Sequence, residues 1–167
     1  MNKRFELAAL VAACILIGAG GVGLPQTAPQ PAGGAPTGAP YIMTMGDMMN
    51  TLIQPRHAKL GLAGHAQNWP LAAYALAEIQ QSFAGIGKAQ PKFGGMPVPE
   101  LIDAAVTQQL KAVDAAIKEQ NPQSFAKAYD QLNQGCNACH VELNHPFVVV
   151  KAPDASSFPD QEFGARP

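Results

Sequence analysis

Gly135-Cys136-Asn137-Ala138-Cys139-His140 holds Cys-x-x-Cys-His, the spacing at which haem is attached covalently as a c-type group. Two thiols three positions apart share one side of a helical turn and can add to the two vinyl groups of one porphyrin. The imidazole that follows then reaches the iron as proximal ligand. Cys136 and Cys139 are therefore the expected thioether carriers of one haem c, and His140 its expected iron ligand. Two other chemistries use similar residues. A zinc site could recruit Cys136, Cys139, His140 and His145, but adjacent Cys139 and His140 strain to enter one tetrahedron. A thioredoxin-like redox pair needs a βαβ setting that the flanking sequence does not supply.

The 167 residues hold enough chain for one domain with one modest core once the first forty or so are set aside. A net charge of −1 with 14% charged residues lacks the basic surface that nucleic acid requires, so no nucleic-acid partner is expected. Met1-Asn2-Lys3-Arg4 is a short basic start, and Leu7 to Leu24 is apolar or glycine throughout. Residues 1–24 thus read as an export signal peptide or a retained N-terminal membrane anchor, with a tether through residues 5–24 in the second case. Bacterial c-type haem is attached outside the cytoplasm, and a periplasmic location follows for either fate. Cys14 lies within the apolar run, where Val11-Ala12-Ala13 before it has the look of a lipoprotein box. A small hydrophobe in a membrane segment is the plainer reading. With the other two cysteines committed to haem, no disulfide is expected in the domain.

Residues 25–41, rich in Pro, Gly, Ala, Gln and Thr, bury no core and read as a semi-extended linker. The domain follows over residues 42–145. Thr44-x-x-Asp47 has the form of a capping box, and Met45, Met48, Met49, Leu52 and Ile53 recur at helical spacing behind it. Pro55 should kink or split this helix, at about 3 kcal/mol in a regular interior, leaving one bent or two short helices to about His65. Asn68 with Trp69-Pro70 opens a second helix, buried through Leu71, Ala75, Ile79, Phe83 and Ile86. Gly85 to Pro99 reads as a loop. A third helix spans about Pro99 to Glu119, burying Ile102, Val106, Leu110, Val113 and Ile117. Asn121-Pro122 caps a fourth, with the stripe Phe125, Tyr129, Leu132, Cys136, Cys139 and Leu143. The haem motif continues this stripe, which predicts a porphyrin among apolar side chains. Residues 146–167 form an extended tail; Phe147-Val148-Val149-Val150 could be a short strand but fits better as a strap over the helices or the haem edge.

Four helices joined by short or moderate links predict an all-α, antiparallel four-helix bundle. A bundle of this size with Cys-x-x-Cys-His near the end of its last helix resembles the cytochrome c-prime family of periplasmic bacterial haem proteins. That family includes five-coordinate gas-binding members and six-coordinate methionine-ligated members. The resemblance covers roughly Ile42 to His145 by order and spacing of elements, and only the haem motif is specific. It implies thioethers at Cys136 and Cys139 and the proximal bond from His140; homodimers are frequent in the family. The chain departs from the family in two places. Val141-Glu142-Leu143-Asn144 follows the motif where basic residues are common, and the first arginine of the domain is Arg56.

In an up-down-up-down bundle the end of the fourth helix lies beside the first turns of the first, where the methionines are. A thioether raises haem potential when paired with histidine, which suits an electron carrier. Met48 or Met49 is the candidate distal ligand. Methionines at helical spacing also serve as core filler, leaving an open face shielded by Leu52. His57, more than two turns beyond Met48, is expected in solvent, as are His65 and His145. Trp69 should wedge helices together. The expected function is electron transfer by a monohaem c-type cytochrome with an unknown redox partner protein. The alternative is a five-coordinate sensor or buffer of nitric oxide or carbon monoxide. Enzymatic activity such as peroxide reduction is not expected, since the distal turns offer only apolar groups, Asn50 and Asp47 as proton donors.

Overall fold

A computed structural model describes residue 38 and residues 40–165. The expected export segment, Cys14 and nearly all of the linker lie outside the described residues. Two thirds of the described residues are helical, in four helices, and strand is confined to one two-residue ladder. The chain is all-α in class.

Helix α1 runs through Met45–Met48, a π-helical turn Met49–Ile53 and Gln54–His65 without leaving helical dihedrals. Its start is the expected capping box. The Asp47 amide donates to Thr44 Oγ1 at 3.2 Å, and the Thr44 amide donates to the Asp47 carboxylate at 2.8 Å. Pro55 does not split the helix. Lacking an N–H, it would leave a carbonyl unpaired in a regular α-helix, and the chain widens to a π turn just before it, with the Gln54 amide bonded to Met49 O.

Helix α2, Trp69–Ala89, is capped by Asn68, whose Oδ1 accepts from the Leu71 amide at 3.3 Å. It continues past Gly85 and Gly87, where the sequence predicted a loop. Each interior glycine costs about 1 kcal/mol, and burial of Ile86 on the core face, 1% exposed, offsets it. The loop proper carries an antiparallel pair, β1 Lys92–Phe93 and β2 Met96–Pro97, closed by Gly94 and Gly95. Both glycines sit at positive φ (57° and 85°), the geometry a two-residue hairpin turn of this hand requires.

Helix α3 comprises Val98–Ile102, a second π turn Asp103–Thr107, and Gln108–Lys118. Helix α4, Pro122–Glu142, starts at Asn121, whose Oδ1 accepts from the Ser124 amide at 2.9 Å. Helix α1 packs on α2 and α4, and α3 packs on the same two. The core is Leu60, Leu76, Ile79, Ile86, Val113, Phe125, Tyr129 and Leu132 with their smaller neighbours. Leu71 and Ile102, expected in the stripes, are half-buried.

The contact between α1 and α4 depends on two glycines one turn apart. A Cβ at Gly61 would lie 2.5 Å from the Tyr129 hydroxyl and 2.8 Å from Pro153, and one at Gly64 would overlap the Phe125 ring. Hydrogen at these positions lets two aromatic rings lie directly on the α1 backbone. Trp69 meets Phe125 edge-on at 6.1 Å, the wedge expected of it.

After α4 the tail forms no strand. It runs as an irregular strap from the motif to the other end of the helices. Val150 bonds to Asn137, Pro153 meets Gly61, and Phe158 stacks under Lys59. Phe163 is buried, and the Gly164 carbonyl accepts from Asn68 Nδ2 at 3.0 Å. Among the described residues no helix is long and apolar enough to cross a membrane.

Candidate functional site

Cys136, Cys139 and His140 occupy the last two turns of α4, and the stripe that leads to them becomes shallower as it reaches them. Phe125, Tyr129 and Leu132 are at most 1% exposed, whereas Cys136, Cys139 and His140 are half-buried. The motif therefore lies at the margin of the core, and the expected stripe does not keep its depth through it. Neither thiol is in a disulfide.

Close packing locates the first cysteine. A Cβ at Gly135 would overlap the carbonyl oxygen of Ala105, which sits in the π turn of α3. Only glycine admits that approach, and it fixes the depth of Cys136 next to it. Burial pushes the Cys136 thiol up to about 11, with Cys139 adding to the rise, and burial and Glu142 together raise Cys139. Both groups are thiols at neutral pH. A reactive Cys-x-x-Cys redox pair needs the opposite, a thiolate stabilised by positive surroundings.

His140 Nδ1 lies 2.8 Å from the Val148 carbonyl oxygen. A carbonyl has no proton to give, so Nδ1–H is the donor, and Nε2 takes no part in this bond. Asn137, between the cysteines, bonds both backbone groups of Val150. Around this end apolar side chains stand uncovered: Val141 is 60% exposed, Phe147 78% and Val149 71%. Two thiols outside any disulfide on one helical face, an imidazole held through Nδ1 and an apolar surround fit the demands of thioether-bound haem. Cys136 and Cys139 could hold its vinyl carbons and His140 Nε2 its iron. Among the described residues no three His, Cys, Asp or Glu side chains gather as a metal-binding group, so the four-ligand zinc alternative has no assembled donor set.

The methionines divide. Met48 is 4% exposed and lines a cleft of about 450 Å³ between α1 and α2 with Leu52, Arg56, Glu78 and Ile86; no residue of α4 lines it. Met49 is half-buried against the core. Arg56 spans the same cleft, its Nε 3.5 Å from Glu78 and its guanidinium donating to Leu52 O at 2.9 Å.

His57 corrects the sequence expectation. It is 6% exposed, stacked on Tyr129 at 4.8 Å between ring centroids, and its Nε2 has no hydrogen-bond partner. The spacing carries a signal: His57 stands four residues after Ile53 and three before Leu60, both buried, so it falls on the core stripe of α1, and the glycine-mediated approach of α4 covers it. Asn133 Oδ1 and Gln109 Oε1 are likewise buried without partners near the motif. His65 and His145 are exposed, as expected. No family model matches the chain, and neither a curated protein nor a solved structure matches it.

Proposed function

We propose that this chain is a monohaem c-type cytochrome that transfers electrons, with its four helices arranged as an antiparallel bundle of the cytochrome c-prime kind. One haem c is bound by thioethers at Cys136 and Cys139, with His140 as proximal iron ligand. The observation that carries this reading is the geometry of α4's last two turns: two thiols outside any disulfide and an imidazole whose Nδ1 is bonded to a carbonyl, so that Nε2 is the nitrogen left to meet the iron. When bound, the haem supplies an iron that cycles between two oxidation states. The protein's own groups would hold the ring and set the donor strength of His140, with Val141, Phe147 and Val149 as the apolar side chains exposed beside it.

In the electron-transfer reading Met48 or Met49 closes the distal side. A second reading, a five-coordinate protein that senses or buffers nitric oxide or carbon monoxide, is favoured by one observation: Met48 lines the cleft between α1 and α2, to which no residue of α4 contributes. Periplasmic location rests on the apolar leader of residues 1–24, with the mature protein either released by cleavage or tethered through residues 5–24. A redox partner protein completes the electron-transfer reading, and homodimerisation follows the resemblance.

Acid-acetone extraction of the purified full chain tests the haem assignment. Pigment that stays with the protein, and leaves it in a Cys136→Ala, Cys139→Ala double variant, is the expected result; a colourless wild-type protein overturns it. Carbon monoxide added to the reduced protein then separates the readings. Prompt conversion of the whole spectrum indicates a vacant distal side, and resistance indicates a bound methionine.

A further inference from the structure

The strap after α4 is held to the haem motif by polar groups and not by burial. Phe147 and Val149 are 78% and 71% exposed and Val148 is 43% exposed, so apolar packing does not fix this segment. Polar groups do: the Val148 amide donates to the His145 carbonyl at 3.0 Å, and beyond that turn Asn137 holds Val150. Asn137 Nδ2 donates to the Val150 carbonyl at 2.9 Å, and Asn137 Oδ1 accepts from the Val150 amide at 2.7 Å. Both backbone groups of a single residue are thereby satisfied by one partner, which fixes the strap's distance from α4 and its rotation. Two residues back, the same strap sets the Val148 carbonyl 2.8 Å from His140 Nδ1.

We propose that Asn137 and residues 148–150 form a positioning device for the proximal histidine. Asn137 latches Val150, the latch places the Val148 carbonyl on Nδ1–H, and that bond orients the imidazole with Nε2 toward the iron. A partner on the far nitrogen fixes the tautomer and raises the basicity of the ligating one. A more basic ligand stabilises ferric over ferrous iron. The proposal rests on the haem reading, and it assigns Asn137 a task that the spacing of Cys-x-x-Cys-His leaves open, since that motif accepts any residue between its cysteines.

The test uses the full-length, haem-loaded protein as wild type, Asn137→Ala and Asn137→Asp. The aspartate still accepts from the Val150 amide but, when ionised, cannot donate to its carbonyl. Two readouts are taken: solvent exchange of the His140 Nδ1 proton by NMR in the ferrous state, and the ferrous-to-ferric ratio at fixed ambient potential. In Asn137→Ala we expect faster exchange and a raised ratio, the direction set by a less basic ligand. In proton exchange Asn137→Asp should lie between that variant and wild type, and this readout carries the test alone if the alanine variant does not accumulate, since the added carboxylate charge itself favours ferric iron. Unchanged exchange and unchanged ratio in variants that retain covalent haem overturn the strap and leave the haem reading intact. Absence of covalent haem from the wild type overturns both.

Discussion

The phenol oxygen of Tyr129 lies 3.0 Å from His57 Nδ1 and 2.8 Å from the His57 carbonyl oxygen, so one hydroxyl on α4 holds both the ring and the backbone of a residue on α1. The hydroxyl gives its proton to the carbonyl and takes the one on Nδ1. Gly61 makes this possible, because a side chain there would occupy the space that the hydroxyl fills.

Tyr129→Phe should therefore destabilise the protein by about 1–3 kcal/mol, the cost of leaving buried polar groups without their partner. A urea titration reads it directly. A midpoint equal to that of wild type would mean that the hydroxyl holds nothing.

His57 also sets a pH dependence. Burial pushes it down from 6.5 to about 4, against the opposing pull of Asn133. The folded protein keeps the ring neutral where the unfolded chain binds a proton, so this contribution is complete above about pH 6.5 and is lost as pH falls toward 4. At 1.36 kcal/mol per pH unit the loss is about 3 kcal/mol. His57→Gln should lose that part of the slope between pH 7.5 and 4.5, measured as the change in unfolding free energy. Equal slopes in variant and wild type would refute the assignment.

Gly135→Ala should cost about 1–3 kcal/mol, because the new methyl meets a backbone carbonyl at Ala105 and no flexible side chain can yield. Helices α3 and α4 must move apart, and Cys136 moves with them. Alkylation of Cys136 in the haem-free chain should then be faster than in the parent. An unaltered rate together with unaltered stability would show that the two helices do not meet there.

Met48 and Met49 should separate in alanine variants. Met48→Ala removes a core side chain that is 4% exposed and should cost about 2–4 kcal/mol, while Met49→Ala, half-buried, costs less. The spectrum is independent of that ranking. A low-spin wild type that becomes high-spin in one variant identifies the distal ligand; a low-spin spectrum preserved in both excludes the pair.

Local chemistry was readable in the chain. Thr44 with Asp47, Asn68 and Asn121 each cap the helix they were expected to open, because a cap needs only its own next three residues. Most of the apolar stripe positions of the four helices were equally plain, although Leu71, Ile102, Cys136 and Cys139 are only half-buried. What depended on partners was not. Pro55 announced a disturbance, but whether the backbone bends or widens depends on the helices packed around it. Gly85 and Gly87 read as loop until Ile86 is seen in the core. His57 looked like a surface histidine although its spacing sets it on the core stripe of α1, and the flat face made by Gly61 and Gly64 brings Tyr129 down on it. For the same reason Gly135 drew notice as a neighbour of Cys136, whereas its task lies across the helix interface at Ala105.

The groups that steady His140 and Asn137 follow them in the chain by 8 and 13 positions. A polypeptide emerging from its N-terminus thus presents both sulfurs while the imidazole ring still swivels, and the carbonyl that stops it arrives later.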